Sequence, residues 1–195
     1  MDKQAILSEF ENAHAILRGH FILSSGLRSD TYMQCARVLM DAARADRLCK
    51  ALAGKLKQEL GDIQLDAVVA PAMGGVIVGY EMGRQLGVPS MFCERVEGMF
   101  TLRRGFEIAK GAKVLVVEDV VTTGKSSIET FECIRAYGGE VIAETCLIDR
   151  TNGSVDLGVP LISLMTLDIK TYDPANLPPE LAAIPALKPG SRGLK

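Results

Sequence analysis

Apolar and polar positions recur along the chain with two periods, and the switches between them divide it into elements. Ile6, Phe10, Ala13 and Leu17 fall at helical spacing behind Asp2, a residue suited to cap a helix, so the spacing predicts a helix that stops before Gly19. Residues 20–35 predict a hairpin: His20 to Leu23, a turn at Ser24-Ser25-Gly26, and a return through Tyr32 and Met33. A second helix begins near Asp41; Leu48, Leu52, Leu56 and Leu60 make its stripe, and Gly61 ends it. From residue 67 the pattern alternates. Ala67-Val68-Val69-Ala70 is a short apolar run, followed by an amphipathic stretch over 75–86 that Gly87 closes. Val88 to Cys93 and Val114 to Val117 read as further strands. Residues 126–137 predict a helix ending at Gly138-Gly139, and Val141 to Ile148 returns as a strand.

Apolar strands alternating with amphipathic helices predict an α/β fold, with a mainly parallel sheet covered on both faces and right-handed crossovers. Residues 94–111 interrupt this order with charge and glycine, which predicts a mobile excursion or a hairpin. The proline-rich 174–195 predicts an extended tail along the surface.

Composition narrows the function. With 195 residues, 48% hydrophobic and 24% charged, the chain is long enough for one well-buried core, and a single domain is expected. A net charge of −2 without a basic block argues against nucleic acid as a partner. The longest uncharged stretch, Ala67 to Tyr80, is too short for a bilayer and is broken by Pro71, Gly74, Gly75 and Gly79, so no membrane partner is expected. The polar start Met1-Asp2-Lys3-Gln4 does not resemble a signal peptide. Five widely spaced cysteines fit reduced thiols in the cytoplasm, and the two histidines, His14 and His20, do not make a zinc site.

The strand Val114–Val117 delivers Glu118 and Asp119 to its carboxyl end, where open α/β sheets take ligands. Val120, Val121, Thr122, Thr123, Gly124, Lys125 and Ser126 follow as a hydroxyl-rich turn that opens a helix. Backbone N–H groups at a helix N-terminus, with the hydroxyls of Thr122, Thr123 and Ser126, make a cradle for phosphate. Carboxylates just upstream would repel bare phosphate and are suited instead to accept hydrogen bonds from sugar hydroxyls. Together they predict a phosphorylated sugar. Gly124-Lys125-Ser126 does not close a P-loop, because that motif needs glycine where Asp119 stands. A functionless polar turn is the plain alternative, and an acidic pair closing a buried apolar strand weighs against it.

Val114 to Ser126 resembles the PRPP-binding signature of the type I phosphoribosyltransferases: an apolar strand, an acidic pair, then Thr-Thr-Gly. The resemblance implies that Glu118 and Asp119 bind ribose and that the turn binds the 5′-phosphate, with Val120, Val121, Thr122, Thr123, Gly124, Lys125, Ser126 and Arg95 completing the PRPP site. Phe21-Ile22-Leu23-Ser24-Ser25-Gly26 with Ser29-Asp30-Thr31-Tyr32 resembles the hood of the orotate phosphoribosyltransferases. Pro71-Ala72-Met73-Gly74-Gly75 resembles their pyrophosphate loop, Leu147-Ile148-Asp149-Arg150 their orotate-binding strand end, and Lys188-Pro189-Gly190-Ser191-Arg192 a C-terminal ending. On this resemblance the fold is the type I phosphoribosyltransferase fold. The hood and N-terminal helix fall in 1–40, the core sheet in 61–170, a flexible catalytic loop in 94–105 and the tail in 174–195.

Ala72, Met73, Gly74 and Gly75 would then meet the diphosphate, glycine allowing the backbone close. Thr122, Arg150, Ser25 and Gly26 would hold orotate. The planar fork of Arg150 suits a carboxylate, an ion pair with Asp149 being its structural alternative. Phe21 and Tyr32 could pack on the base, and Phe21 fits the core equally. Many members carry lysine where this chain has Ser24 and Gly74, and lysines with a His-Gly pair in the loop. Residues 94–105 here offer only Arg95, Arg103 and Arg104 as cations, and Leu102-Arg103-Arg104-Gly105-Phe106 resembles one short-loop branch.

The resemblance implies a homodimer with shared active sites and Asp119, Arg103 and Arg104 as catalytic residues. It also implies Mg²⁺ as cofactor without direct side-chain ligation, and no organic cofactor. Arginine cannot serve as a general acid at neutral pH, so if no lysine or histidine assists, catalysis would rest on electrostatic stabilisation by Mg²⁺ and arginine. The implied reaction transfers ribose 5-phosphate from PRPP to orotate, in pyrimidine biosynthesis. A purine or uracil would leave Arg150 without its carboxylate. A PRPP-sensing regulator would need a nucleic-acid surface that the charge pattern lacks.

Overall fold

The computed structural model describes residues 1–23 and 26–189. It opens with α1 (Lys3–Asn12), capped by the Asp2 carboxylate, which accepts from the Ala5 N–H at 2.8 Å. The helix ends sooner than its apolar spacing predicts. His14 turns the chain at φ 50°, and Leu17 belongs to β1 (Ile16–Ile22), which runs through Gly19. β1 pairs antiparallel with β2 (Arg28–Met33), placing Leu17 opposite Tyr32. Leu17 fits either period, and the non-local pairing decides.

A short α2 (Cys35–Leu39), too brief to leave a period in the sequence, leads into α3 (Ala42–Leu60). The Asp41 carboxylate caps α3 from the Arg44 N–H at 3.0 Å, and Gly61 ends it at φ 73°. Leu48, Leu52 and Leu56 are buried, each contributing about 2 kcal/mol by its removal from water. The core continues through β3 (Ala67–Pro71), α4 (Gly75–Leu86), β4 (Ser90–Val96), β5 (Met99–Leu102), β6 (Lys113–Val121), α5 (Lys125–Ala136), β7 (Glu140–Asp149) and β8 (Leu161–Thr166). The sheet runs β5-β4-β3-β6-β7-β8 and is parallel except for β5.

Val68, Leu115, Val117 and Leu147 face the cluster formed with α3 and α4, while Val69, Val114 and Val116 face Phe131 and Ile134 of α5. Successive strand residues thus enter opposite cores, which is why the strands read as continuous apolar runs. α4 lies close over β3 because Gly75, Gly79 and Gly83 recur on one face. A Cβ at Gly79 would sit 2.7 Å from that of Ala70, and one at Gly83 2.8 Å from that of Ser90.

Of the two expectations for 94–111, a hairpin forms at its start. β5 pairs with β4, Val96 opposite Met99, across Glu97 and Gly98, both at positive φ (50° and 88°). The pattern does not single out β8, whose place comes from parallel pairing with β7. Nor is the tail uniformly extended. α6 (Pro179–Ala182) precedes β9 (Ala186–Leu187), which adds parallel to β1 and completes the three-stranded sheet β2-β1-β9. No helix among the described residues is long and apolar enough to cross a membrane.

Candidate active site

β6 rises through fully buried Val114, Leu115, Val116 and Val117 before its first carboxylate. Alternation then aims Glu118 and Asp119 at opposite faces. Glu118 is buried and, with residues Val120 to Ser127, lines a small concavity on the α5 side. Asp119 is half-buried on the α4 side, where a Cβ at Gly74 would sit 2.9 Å from Asp119 Oδ1. That same oxygen accepts from the Val120 N–H at 2.9 Å, and Glu118 Oε2 accepts from the Asp119 N–H at 3.3 Å. Burial raises the pKa of both carboxyls above the usual range, and for Glu118 the charges of Asp119 and Glu144 add to it.

Thr122 and Thr123 are exposed, and Gly124 caps α5 at φ 70°. Space there is closed as well: a Cβ would meet Val155 at 2.7 Å and Leu157 at 2.8 Å, so conformation and packing both demand glycine. The Lys125 N–H donates to Thr123 Oγ1 at 3.4 Å, and the Ser126 carbonyl accepts from Thr130 at 2.8 Å. The N-terminal end of α5, with its free N–H groups and partial positive charge, therefore opens onto the loop. Beneath it Ser127 Oγ donates to the buried carboxyl of Glu144 at 2.8 Å.

On the other side, Ala72 donates its N–H to the Cys93 carbonyl at 2.8 Å, the Ala72–Met73 peptide is cis, and Met73 is exposed. Gly75 packs so closely that a Cβ would lie 3.0 Å from the Val117 carbonyl oxygen. Tyr32 of β2 stands near Asp119: burial chiefly, and then the Asp119 charge, raise its pKa, while the Arg150 charge opposes them. Its ring lies 5.7 Å from that of Phe21, which is buried in a packing role.

Arg150 follows directly on β7, its N–H donating to the Val121 carbonyl at 2.9 Å. Its guanidinium is partly buried, which lowers its pKa, and the buried Nε meets no acceptor. The ion pair with Asp149 does not form; that carboxylate accepts instead from the Thr151 N–H at 2.7 Å. An unsatisfied buried donor costs about 1–3 kcal/mol unless a ligand supplies the acceptor.

Two of the three loop cations are held elsewhere. Arg104 makes a two-pronged pair with Glu94, both contacts 2.9 Å, over the Phe92 ring. Arg95 pairs with Glu129 of α5 and lies over Phe100. Arg103 is exposed, with no hydrogen bond or ion pair to its guanidinium among the described residues. The described contacts join none of the three to Asp119. Gly26 is exposed at the hood tip at φ 88°. Ser24, Ser25, Gly190, Ser191 and Arg192 lie outside the described residues. The feature that sequence reasoning missed is the tie of Glu144 to Ser127. Its signal was present, as the one charged residue inside the run Val141 to Ile148.

A model of the phosphoribosyl transferase domain matches residues 39–158. The chain is 60% identical over 192 residues to the orotate phosphoribosyltransferase of Rhizorhabdus wittichii, covering 98% of this chain and 97% of that protein. It is 59% identical to that of Sphingopyxis alaskensis, covering 100% and 99%. Among solved structures it resembles an orotate phosphoribosyltransferase from Aeropyrum pernix, with TM-score 0.68 and 30% identity over 83% of this chain and 93% of that one.

Proposed function

The chain belongs to the phosphoribosyltransferase family and, within it, to the orotate phosphoribosyltransferases, and from that premise we propose how its residues divide the work. The fold is that of the type I enzymes, a mainly parallel sheet flanked by helices. In the reaction a ring nitrogen of orotate displaces diphosphate from C1 of PRPP, giving orotidine 5′-phosphate in pyrimidine biosynthesis.

The observation that carries the assignment of roles is the buried, unpartnered Nε of Arg150 beside Tyr32. A planar carboxylate would satisfy that donor and return the charge that burial opposes, and orotate bears one. The Thr122–Ser126 loop takes the 5′-phosphate on the N-terminus of α5, Thr122 reaching toward the base and Glu118 lying at the floor. Asp119 accepts from the ribose hydroxyls and faces the positive charge that grows on the sugar as the C1–O bond breaks. The Ala72–Gly75 turn, whose backbone is bare at Gly74 beside Asp119 where no Cβ would fit, takes the diphosphate.

The ion enters on the diphosphate; among the described residues no group of three or more His, Cys, Asp or Glu is placed to hold a metal ion. Mg²⁺ bound there, with substrate and water oxygens as ligands, would neutralise the leaving group. Arg103 and Arg104 add to that neutralisation from a neighbouring subunit. A homodimer is supported by the exposed Met73, Ile77 and Tyr80, an apolar stripe leading from the diphosphate turn along α4. All five cysteines are free and buried, as suits a reducing cytoplasm.

Arg150→Ala tests the reading. Loss of a charge-assisted pair in a shielded site should cost orotate about 2–4 kcal/mol in kcat/KM, leaving the KM for PRPP nearly unchanged. Equal weakening of both substrates would instead make Arg150 a structural residue.

A further inference from the structure

Glu144 is a buried acid that the roles above leave unused. Its side chain is fully buried in β7, with Val116 of β6 beside it on one side and Leu161 of β8 on the other. Oε1 accepts from Ser127 Oγ at 2.8 Å, and Oε2 meets no partner. No ion pair among the described residues includes it. The charged and titratable groups around it are few. β6 supplies Glu118, which feels the Glu144 charge, and its own strand supplies Cys146, which feels it too. β8 carries no ionisable side chain. On α5, Lys125 and Glu129 turn outward to each other, at 3.9 Å, and Glu129 to Arg95. The pocket is thus a place for a neutral acid: burial pushes the Glu144 pKa up to about 7, against the opposing bond from Ser127.

We propose that Glu144 is a positioning residue for PRPP: it holds the first turn of α5 through Ser127, and it takes up a proton when the 5′-phosphate settles on the loop above. The inference rests on the reading of Thr122–Ser126 as the phosphate loop. A dianionic phosphate added on the α5 side disfavours a second negative charge beneath it, so the bound state raises the affinity of Glu144 for its proton. By linkage the proton then favours the phosphate equally. The sign follows. Binding is strongest where Glu144 is already protonated, below about pH 7, and weakens as pH rises between the free and bound values.

Glu144→Gln keeps the acceptor for Ser127 and fixes the side chain in a neutral form. Calorimetric titration of PRPP into the wild-type protein and the variant, from pH 6 to 8.5 in buffers of different ionisation enthalpy, reads both affinity and protons. The ionisations of PRPP itself are common to both and cancel in the ratio. The two proteins should bind equally at pH 6, and the variant more tightly at pH 8.5, by up to about thirtyfold. Wild type should also take up more protons than the variant at pH 7.5. A ratio independent of pH, with equal proton uptake, would overturn the proposal while leaving the loop assignment intact. If PRPP bound at no pH, both would fall.

Should Glu144→Gln not fold, Ser127→Ala carries the test. It removes the one hydrogen bond that favours the ionised form, so the loss of affinity must begin at higher pH than in wild type. An unchanged onset would refute the role of Glu144. A purely structural tether would move neither the pH profile nor the proton count.

Discussion

Asp119 and Arg150 are both drawn away from water, with different consequences. Asp119 already accepts from the Val120 N–H, and its carboxylate faces the Gly74 turn. In Asp119→Asn the amide oxygen can keep the Val120 contact, which turns the NH₂ toward the ribose, a donor where an acceptor is needed. The loss in kcat/KM should be on the order of tenfold or more. Stability should not fall, because the amide removes the desolvation cost that burial places on the ionised acid. Steady-state kinetics beside thermal unfolding checks both, and a well-folded variant with near-normal turnover would contradict the role. Asp119 was legible as a candidate because strand, acidic pair and turn are contiguous. The orphaned Nε of Arg150 was not, since whether Asp149 takes it depends on how Thr151 folds back. Glu144 was visible as an oddity in an apolar strand, but its partner Ser127 is brought to it only by the packing of α5.

Elements were most legible where their ends are marked by their own residues. Asp41, Gly61 and Gly87 bound α3 and α4 as the spacing predicts, because capping is local chemistry. Leu17, β8 and β9 depend on partners distant in the chain, and local period cannot decide among them. The glycine face of α4 belongs to the same class, since its purpose is the approach of β3. Gly79→Ala puts a Cβ 2.7 Å from that of Ala70, while at Gly54 in α3 a Cβ would meet nothing within 4 Å. Gly79→Ala should destabilise by about 1–3 kcal/mol in urea unfolding, less the helix preference of about 1 kcal/mol. Gly54→Ala, with that preference alone, should stabilise by up to about 1 kcal/mol. Equal effects at the two sites would mean that α4 does not lie so close.

For the molecule as a whole, the alternation of strands and helices foretold the sheet, whereas the joining of the tail to the hood did not show, because β9 is two residues long. On the proposed homodimer, the loop arginines would serve the neighbouring subunit's site. Subunits carrying Asp119→Asn, mixed with subunits carrying Arg104→Ala, should regain activity if the hairpin serves its neighbour. One site of each mixed dimer then collects both defects and the other neither, so random pairing restores roughly a quarter of wild-type sites. Arg103→Ala belongs in the same experiment, since Arg104 is already engaged by Glu94 and Arg103 is not. No recovery with either variant, once exchange is proven, would place the loop in its own subunit. The central claim, that this protein joins ribose 5-phosphate to a base because the base carries a carboxylate, has a more direct test. Purified protein with PRPP and Mg²⁺ is offered orotate, uracil, adenine and hypoxanthine in parallel, and release of diphosphate is followed. Turnover with orotate, and little with the three bases that lack a carboxylate, is the predicted result; comparable turnover with uracil would contradict the account.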